Sequence, residues 1–361
     1  MIRDKTDLPG SAFLIAGKLL VCLLLTASLR GEPSATRMPP AHLSETGLYS
    51  DIATKAIAPA NLMFTPQYPL WSDGAAKRRW IFLPPGKEID ASNADNWVFP
   101  VGTKLWKEFS FGKRVETRLL EKTAPSDWSY ATYAWNADES DAELVSERGA
   151  RNHVEIAPGV RHDIPGVNDC KACHEGQGRD VVLGFNALQL SPDRDPNALH
   201  AEATTAEMID LGTLMEQGRL DPSPSQFIKN PPRINTPSPR ARAAIGYLWA
   251  NCGGCHNATD PLASVGMVLR FPVEGEAGVE QSKLPTVIGH ASKFQIPGLA
   301  DGESDRICPG DPSRSSIVYR MGTRNPYQQM PPLGTKIVDQ QALDLLTAWI
   351  KEDLGHRSEV K

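Results

Sequence analysis

Two short cysteine motifs carry the clearest chemistry in this 361-residue chain. The same Cys-x-x-Cys-His spacing occurs twice, at Cys170, Cys173 and His174, and at Cys252, Cys255 and His256. This spacing is the attachment pattern of c-type haem. Two thiols one helical turn apart can each bond a haem vinyl group, and the adjacent imidazole then reaches the iron. The sequence therefore predicts two covalently bound haem c groups, with His174 and His256 as iron ligands.

Other cysteine chemistry fits this spacing less well. A zinc ribbon places its second cysteine pair about 15–20 residues after the first, whereas Cys173 and Cys252 lie 79 residues apart. A thioredoxin-like dithiol needs no following histidine and would not occur twice. Beyond the N-terminal segment only Cys308 is left over. We expect it to be a buried small hydrophobic residue rather than a reactive thiol.

The elements expected around the second motif would position its haem. Pro239–Ala250 has apolar residues at helical spacing, and Asp339 is a natural N-cap for a helix over Gln340–Leu354. Met330 lies between these helices and is followed by two prolines. A helix, the cysteine motif, a Met-Pro loop and a closing helix together resemble the single-haem class I cytochrome c domain.

By this resemblance His256 is the proximal ligand and Met330 the distal ligand of the second haem. Methionine–histidine ligation raises the reduction potential and closes the iron to outside ligands. The resemblance therefore implies that the second haem is an electron-transfer centre. The alternative for Met330 is a loop methionine packed in the core.

The sequence leaves the sixth ligand of the first haem open. No Met-Pro loop follows His174 before the proline-rich connector. Thr204–Gln217 is predicted to be helical with two methionines on one face, a stripe that more often belongs to the core than to a metal site. A vacant sixth position is the remaining alternative and would suit an enzyme. The candidate ligands are Met208, Met215, His200, His153 and His162.

The N-terminal segment has the composition of an export signal. Arg3 and Lys5 precede an apolar run, whose uninterrupted core at residues 19–25 is too short for a bilayer interior of ~30 Å. Small residues at 26–28 offer a cleavage site, so residues 1–28 are predicted to be a signal peptide, with a retained membrane anchor as the alternative. Export also agrees with haem attachment. Haem c is attached outside the cytoplasm, where the cysteine thiols must be kept from forming disulfides with one another. We expect a periplasmic mature chain without an integral membrane span.

The region before the first motif has the pattern of a β-rich module. Between about His42 and Pro158 lie six of the eight tryptophans and no cysteine. Runs of β-branched and aromatic residues, separated by proline, glycine and serine breaks, predict short antiparallel strands. These runs cover residues 77–83, 103–111, 115–122 and 129–135. They predict a sandwich-like module.

The predicted fold class is multidomain α+β, in which the β-rich, sandwich-like N-terminal module precedes two small all-α cytochrome c-like domains. The expected segments are 1–28 (signal peptide), 29–41 (leader), 42–158 (β-rich module), 159–220 (first haem domain), 221–240 (proline-rich connector) and 241–361 (second haem domain). The formal net charge of −5 argues against a nucleic-acid partner, which requires a clustered basic face.

Several longer motifs lie outside the haem sites. They are Tyr68-Pro-Leu-Trp-Ser-Asp-Gly-Ala-Ala-Lys-Arg-Arg-Trp, Pro100-Val-Gly-Thr-Lys-Leu-Trp-Lys-Glu-Phe-Ser-Phe, Val115-Glu-Thr-Arg-Leu-Leu, Val182-Leu-Gly-Phe-Asn-Ala-Leu-Gln-Leu and Pro309-Gly-Asp-Pro-Ser-Arg-Ser. With them the chain resembles one bacterial family of exported dihaem c-type cytochromes that carry a Trp-rich N-terminal module. The resemblance covers nearly all of the chain after the signal segment and implies domain organisation more than a substrate.

These observations favour a protein that passes electrons between a redox protein donor, for example a dehydrogenase, and a downstream redox acceptor. The first alternative is a dihaem peroxidase- or oxygenase-like enzyme with the first haem as the reactive iron. The second is a docking or binding module that carries redox haems, with a surface lined by Trp71, Asp73, Lys77, Arg78 and Arg79. For each residue a structural place is favoured over a binding role: the tryptophan belongs to the core of a small β-fold and the four charged residues to a solvated edge.

Overall fold

The structure is a computed structural model that describes residues 38–176, 181–236, 238–259, 261–272 and 284–355. The predicted signal peptide and most of the leader lie outside the described residues. Among the described residues no helix is long and apolar enough to cross a membrane.

The described residues form short strands followed by short helices. The strands are β1 (Tyr49–Asp51), β2 (Ala56–Ile57), β3 (Leu62–Phe64), β4 (Ala76–Phe82), β5 (Ile89–Asp90), β6 (Lys104–Phe111), β7 (Lys113–Lys122), β8 (Trp128–Trp135), β9 (Ala142–Leu144), β10 (Ala150–Ala157), β11 (Val160–Ile164) and β12 (Leu220–Asp221). The helices are α1 (Val167–His174), α2 (Leu211–Glu216), α3 (Gln226–Lys229), α4 (Pro239–Asn251), α5 (Ser316–Gly322) and α6 (Gln340–Ala348).

A six-stranded antiparallel sheet in the order β3-β4-β6-β7-β8-β9 is the largest element. Its four long strands coincide with the four runs predicted from the sequence, which are confirmed. The fold is therefore mixed, with a large antiparallel sheet and few helices, as expected at this coarse level. No second large sheet faces it among the described residues, because the other sheets have only two strands each.

The two faces of the sheet are covered differently. Successive side chains of a strand point to opposite faces. One face carries an aromatic cluster that packs under the first described segment, and its buried members are Leu43, Leu48, Tyr49, Trp80, Trp106, Leu119, Ala131, Tyr133, Trp135 and Ala142. The opposite face turns toward the segments that carry the cysteine motifs.

The helix predicted over Thr204–Gln217 is shorter than expected. Only Leu211–Glu216 is helical, because the Asp210 side chain accepts a hydrogen bond from the backbone N–H of Thr213 and starts the helix there. Met208 precedes the helix and forms a β-bridge with Met63 instead. The two methionines therefore do not share one helical face.

The helices of the C-terminal half agree with the sequence. Helix α4 begins at Pro239, with the Ser238 side chain as its N-cap, and α6 begins after Asp339, whose carboxylate accepts from the N–H of Ala342. A π-helical turn over Trp349–Asp353 prolongs α6. Helices α4 and α5 both pack against α6. The predicted helices and the predicted cap are confirmed.

The described segments are interleaved in one compact unit that begins at Met38. Strand β5 pairs in parallel with β12, which joins the predicted β-rich module to the end of the predicted first haem domain. The β10–β11 hairpin likewise crosses the expected boundary at 158. The predicted domain boundaries thus mark changes of composition along a continuous structure, and they stay predictions.

Candidate functional site

The first cysteine motif forms helix α1, which packs on β8 of the large sheet. The Cys170 thiol contacts the Thr132 hydroxyl, and the ring of Tyr130 lies 5.9 Å from that of His174. The start of α1 is fixed by a close backbone crossing, because a Cβ on Gly166 would overlap the carbonyl of Glu147. The motif is therefore held against the face of the sheet opposite the aromatic cluster, which we name the inner face.

The His174 imidazole has one ring nitrogen engaged by the backbone. Its Nδ1 lies 2.7 Å from the carbonyl oxygen of Val181. A carbonyl oxygen only accepts, so the geometry assigns the proton to Nδ1 and leaves the lone pair on Nε2. Burial lowers the pKa of His174 to about 4, and the charges of Lys107 and Arg118 act in the same direction. The ring is thus neutral and presents Nε2 as a metal donor.

The second motif follows the end of α4. Cys252 caps the helix, and its carbonyl accepts from the N–H groups of Cys255 at 3.2 Å and His256 at 2.8 Å. Gly253 has no room for a side chain, because a Cβ there would press on the carbonyl of Trp249. Burial raises the pKa of the Cys252 thiol to about 12. The chain therefore turns tightly at the motif, which places both of its cysteines within one turn.

The fold brings the two motifs together. The thiols of Cys173 and Cys255 are hydrogen-bonded to each other, which is the largest cause lowering the pKa of Cys173 to about 7. The Thr259 hydroxyl also donates to the carbonyl of Gly176 at 3.3 Å. The motifs start 82 residues apart in the chain, and nothing in their local sequence predicts this contact.

Met330 lies in the loop between α5 and α6 and is half-buried. Its backbone N–H donates to the carbonyl of Arg320 at 2.9 Å, which ties the loop to α5. The Gln329 amide donates to the carbonyls of Pro331 and Pro332 at 3.2 and 3.3 Å. The loop that carries the predicted distal ligand is therefore anchored at both sides of Met330.

The candidate ligands of the first haem either contact other residues or are exposed to solvent. His153 is exposed on β10, whereas His162 is buried with Nε2 3.1 Å from Oε1 of Glu116. His200 has its Nε2 2.9 Å from Oδ2 of Asp339. Met215 packs against a second cluster of buried apolar residues, which differs from the aromatic cluster described above.

The Tyr68 motif joins the sheet to the helices instead of forming an exposed surface. The Tyr68 ring lies on Gly246 of α4, where a Cβ would overlap it, and its hydroxyl donates to Asp195 at 3.2 Å. The Gln189 side chain pairs with the backbone N–H and carbonyl of Tyr68 at 2.9 and 3.0 Å. Two of the long sequence motifs, which begin at Tyr68 and Val182, are thus complementary parts of one contact.

Trp71 and Asp73 extend this contact to the end of α4 and to the segment after Met330. The N–H of Trp71 donates to the side chain of Asn251 at 2.7 Å, and its ring lies 4.6 Å from that of His200. Asp73 is buried and accepts from the N–H groups of Lys336 and Ile337 at 2.7 and 2.9 Å. We name Tyr68, Trp71 and Asp73 the bracket.

The basic part of the same motif divides between the two sheet faces. Arg78 is half-exposed and pairs with Glu108 at 2.7 Å on the aromatic face. Lys77 and Arg79 are buried on the opposite face. Arg78 thus lies on a solvated edge, as favoured, and Trp71 is half-buried. Asp73, Lys77 and Arg79 are buried instead, so the solvated edge expected for these charges was wrong.

Cys308 is half-buried rather than fully buried. Its N–H donates to the Ser315 hydroxyl at 2.9 Å, and burial raises the pKa of its thiol. The expectation of a buried residue thus holds only in part.

Among the described residues no group of three or more His, Cys, Asp or Glu side chains is arranged to hold a metal ion. Comparisons with protein-family models, curated proteins and solved structures found no match for this chain.

Proposed function

We propose that this chain is an exported, periplasmic dihaem c-type cytochrome that passes electrons between a redox protein donor and a downstream redox acceptor. Each haem, once bound, supplies a one-electron iron couple. The residues fit that group at the first motif: two cysteines stand one turn apart on α1, and a neutral His174 is oriented by the Val181 carbonyl. Such a backbone acceptor fixes the tautomer of a metal-ligating histidine.

The contact between Cys173 and Cys255 is the observation that carries the electron-transfer proposal. Each thiol would bond the edge of its own haem, so the two haem edges would meet at this contact. An electron would then cross from one centre to the other over a short distance inside the protein. Nothing in a simple binding module requires such an arrangement.

The second centre supports a carrier role. His256 and Met330 are the proposed ligands, and they belong to the segment in which α4 and α5 pack against α6. We propose that this segment is a class I cytochrome c-like domain and that α1 with its flanking residues forms a smaller haem domain. A thioether ligand on a rigid loop would keep the iron closed and its potential high.

One observation favours an enzyme as the second candidate. His162 and His200 are engaged by Glu116 and Asp339, so neither is available to the first haem unless that contact breaks. A first haem without a protein sixth ligand would suit a dihaem peroxidase- or oxygenase-like reaction, in which the second haem delivers the electrons.

Carbon monoxide binding and peroxide turnover separate these two candidates. For a carrier, we expect the reduced protein to bind carbon monoxide poorly at both irons and to consume peroxide no faster than a closed cytochrome. Rapid binding at one haem per chain, together with peroxide-dependent oxidation of a reduced donor, would favour the enzyme instead. Met208→Ala, Met215→Ala and His200→Ala variants in the same assay would identify a ligand of the first haem.

A further inference from the structure

The inner face of the large sheet carries a row of cationic side chains. Arg79, Lys107 and Arg118 lie directly opposite one another on β4, β6 and β7. Lys77 is two residues before Arg79 and therefore shares its face. Lys77 and Arg79 are only 6% and 5% exposed, whereas Lys107 and Arg118 are half-buried. We name these four residues the cationic row.

The cationic row has two carboxylate partners among the described residues. Arg118 pairs with Glu116 at 2.6 Å, and Arg79 lies 3.2 Å from Glu202. Arg79 is thus ion-paired with Glu202, but neither of its buried terminal nitrogens makes a well-aligned hydrogen bond among the described residues.

The two lysines of the row have no ion pair within the part of the chain that the structure describes. The Lys107 ammonium lies over the ring of Phe109, 4.9 Å from its centroid. The charge of Glu202 acts on both lysines, and that of Asp339 acts on Lys77. However, the carboxylate of Asp339 already accepts from Tyr247 and contacts His200, both at 2.9 Å. Glu202 is already paired with Arg79, so neither ammonium group has a counter-charge of its own among the described residues.

Buried charges of one sign are expensive unless an opposite charge joins them. Burial lowers the pKa of Lys77 to about 8, and it lowers the pKa of Lys107 well below its ordinary value. The neighbouring cations of the row act in the same direction on both lysines. An anion in the space that the row faces would therefore stabilise its charged form.

The first cysteine motif borders that space. Cys170 contacts the Thr132 hydroxyl, and Thr132 lies directly opposite Arg118 in the sheet. The charge of Arg118 acts on the thiols of Cys170 and Cys173, and Lys107 acts on Cys173. Both cations also act on the His174 ring. A group bonded to these cysteines and to His174 would therefore lie against the cationic row. The carboxylates of such a group would be the nearest available anions.

We propose that Lys77 and Lys107, assisted by Arg79, bind the pair of propionate carboxylates of the haem attached to Cys170 and Cys173. This inference rests on the proposed function and assigns the row a ligand. Two unpaired ammonium groups match two carboxylates in charge, and both can donate hydrogen bonds to them. The row also raises the potential of the first haem, because nearby positive charge disfavours the ferric state.

The test compares Lys107→Met, Lys77→Met and the conservative Lys107→Arg in the full-length, haem-loaded protein. Lys113→Met, an exposed lysine at the start of β7, is the matched control. Covalent haem content is measured first, and one haem or none in the wild type would refute the proposed function itself. Infrared difference spectra between the redox states, with propionates labelled by ¹³C, then report on the carboxylates directly. Redox titration gives the potential of the first haem, identified as the component that Met330→Ala leaves unchanged.

We expect both Lys→Met variants to shift the labelled carboxylate bands and to lower the potential of the first haem. Lys107→Arg and Lys113→Met should leave the bands and the potential near those of the wild type. Unchanged bands in both Lys→Met variants with two haems attached would overturn the assignment. An Lys107→Arg variant that behaves like Lys107→Met would also overturn it, because charge would then not be the determinant.

Discussion

At the scale of single residues, the cysteine motifs could be recognised from the sequence, but the environment of their histidines could not. The spacing of Cys170, Cys173 and His174 is local information. The carbonyl of Val181 that orients His174 belongs to a backbone segment whose path depends on tertiary packing. The need for glycine at a close contact could not be predicted either. Nothing in the sequence of α4 distinguishes Gly246, and only the tertiary structure shows that the Tyr68 ring lies against it.

Met330→Ala tests the proposed distal ligand of the second haem. Removal of the thioether should lower the potential of that haem and open its iron to carbon monoxide or imidazole. Visible spectra of the ferric protein should lose the sulfur–iron band in the red. A variant that keeps this band would show that another residue holds the sixth position.

Gly246→Ala tests the close packing of α4 on the bracket. The new methyl group would overlap the Tyr68 ring, and overpacking of this kind costs about 1–3 kcal/mol in the free energy of unfolding. Gly322→Ala in α5 is the matched control, because its Cβ would lie 3.5 Å from Leu343, an ordinary contact. Urea unfolding should show a loss for Gly246→Ala and little change for Gly322→Ala. Equal stability of the two variants would contradict the contact.

At the scale of elements, alternation and capping residues predicted the four long strands of the large sheet and two of the helices. The four long strands and helices α4 and α6 follow from patterns within ten or fifteen residues. The helix over Thr204–Gln217 was predicted too long, because the side chain of Asp210 competes as an N-cap and Met208 pairs with Met63. The contacts of the bracket, and the segments that pack on the two faces of the sheet, depend on residues far apart in the chain. Local patterns in the sequence do not contain this information.

Asp73→Ala tests how the bracket holds the segment after Met330. The change removes the acceptor for two backbone N–H groups and should lower the free energy of unfolding by about 2–3 kcal/mol. A looser loop should also let carbon monoxide reach the second haem faster. Asp73→Asn keeps one oxygen acceptor and tolerates the positive φ of 54°. In stopped-flow measurements, carbon monoxide should bind faster to Asp73→Ala than to Asp73→Asn, and Asp73→Asn should bind it at nearly the wild-type rate. If Asp73→Ala binds it no faster than the wild type, Asp73 does not hold this segment.

Glu116 on β7 should make stability depend on acid pH. Burial alone would raise its pKa, but the charge of Arg118 and hydrogen bonds from His162 and Arg118 hold the pKa below the ordinary value of 4.5. A lowered folded-state pKa stabilises the fold above 4.5, and this stabilisation is lost as the pH falls through the folded-state value. Glu116→Gln should therefore lose less stability on acidification than the wild type or the exposed control Glu88→Gln. Equal pH slopes in urea unfolding would contradict this pairing.

At the scale of the whole molecule, the meeting of the two motifs is the feature that sequence analysis missed. The composition indicated successive modules, whereas the described residues interleave sheet and helices from Tyr68 to Ile337. Contacts such as Cys173 with Cys255 follow from the path of the chain over 82 residues, which no local periodicity encodes. The mixed fold class was predictable, and the position of the sites within it was not.

The number of covalently attached haems tests the central proposal most directly. Intact-mass measurement of the exported, denatured protein should give the processed chain plus two haems. The double variant Cys170→Ala/Cys173→Ala should retain one haem, and so should Cys252→Ala/Cys255→Ala. A mass equal to the polypeptide alone, or a pigment that acid and organic solvent extract completely, would contradict the account of this protein as a dihaem cytochrome.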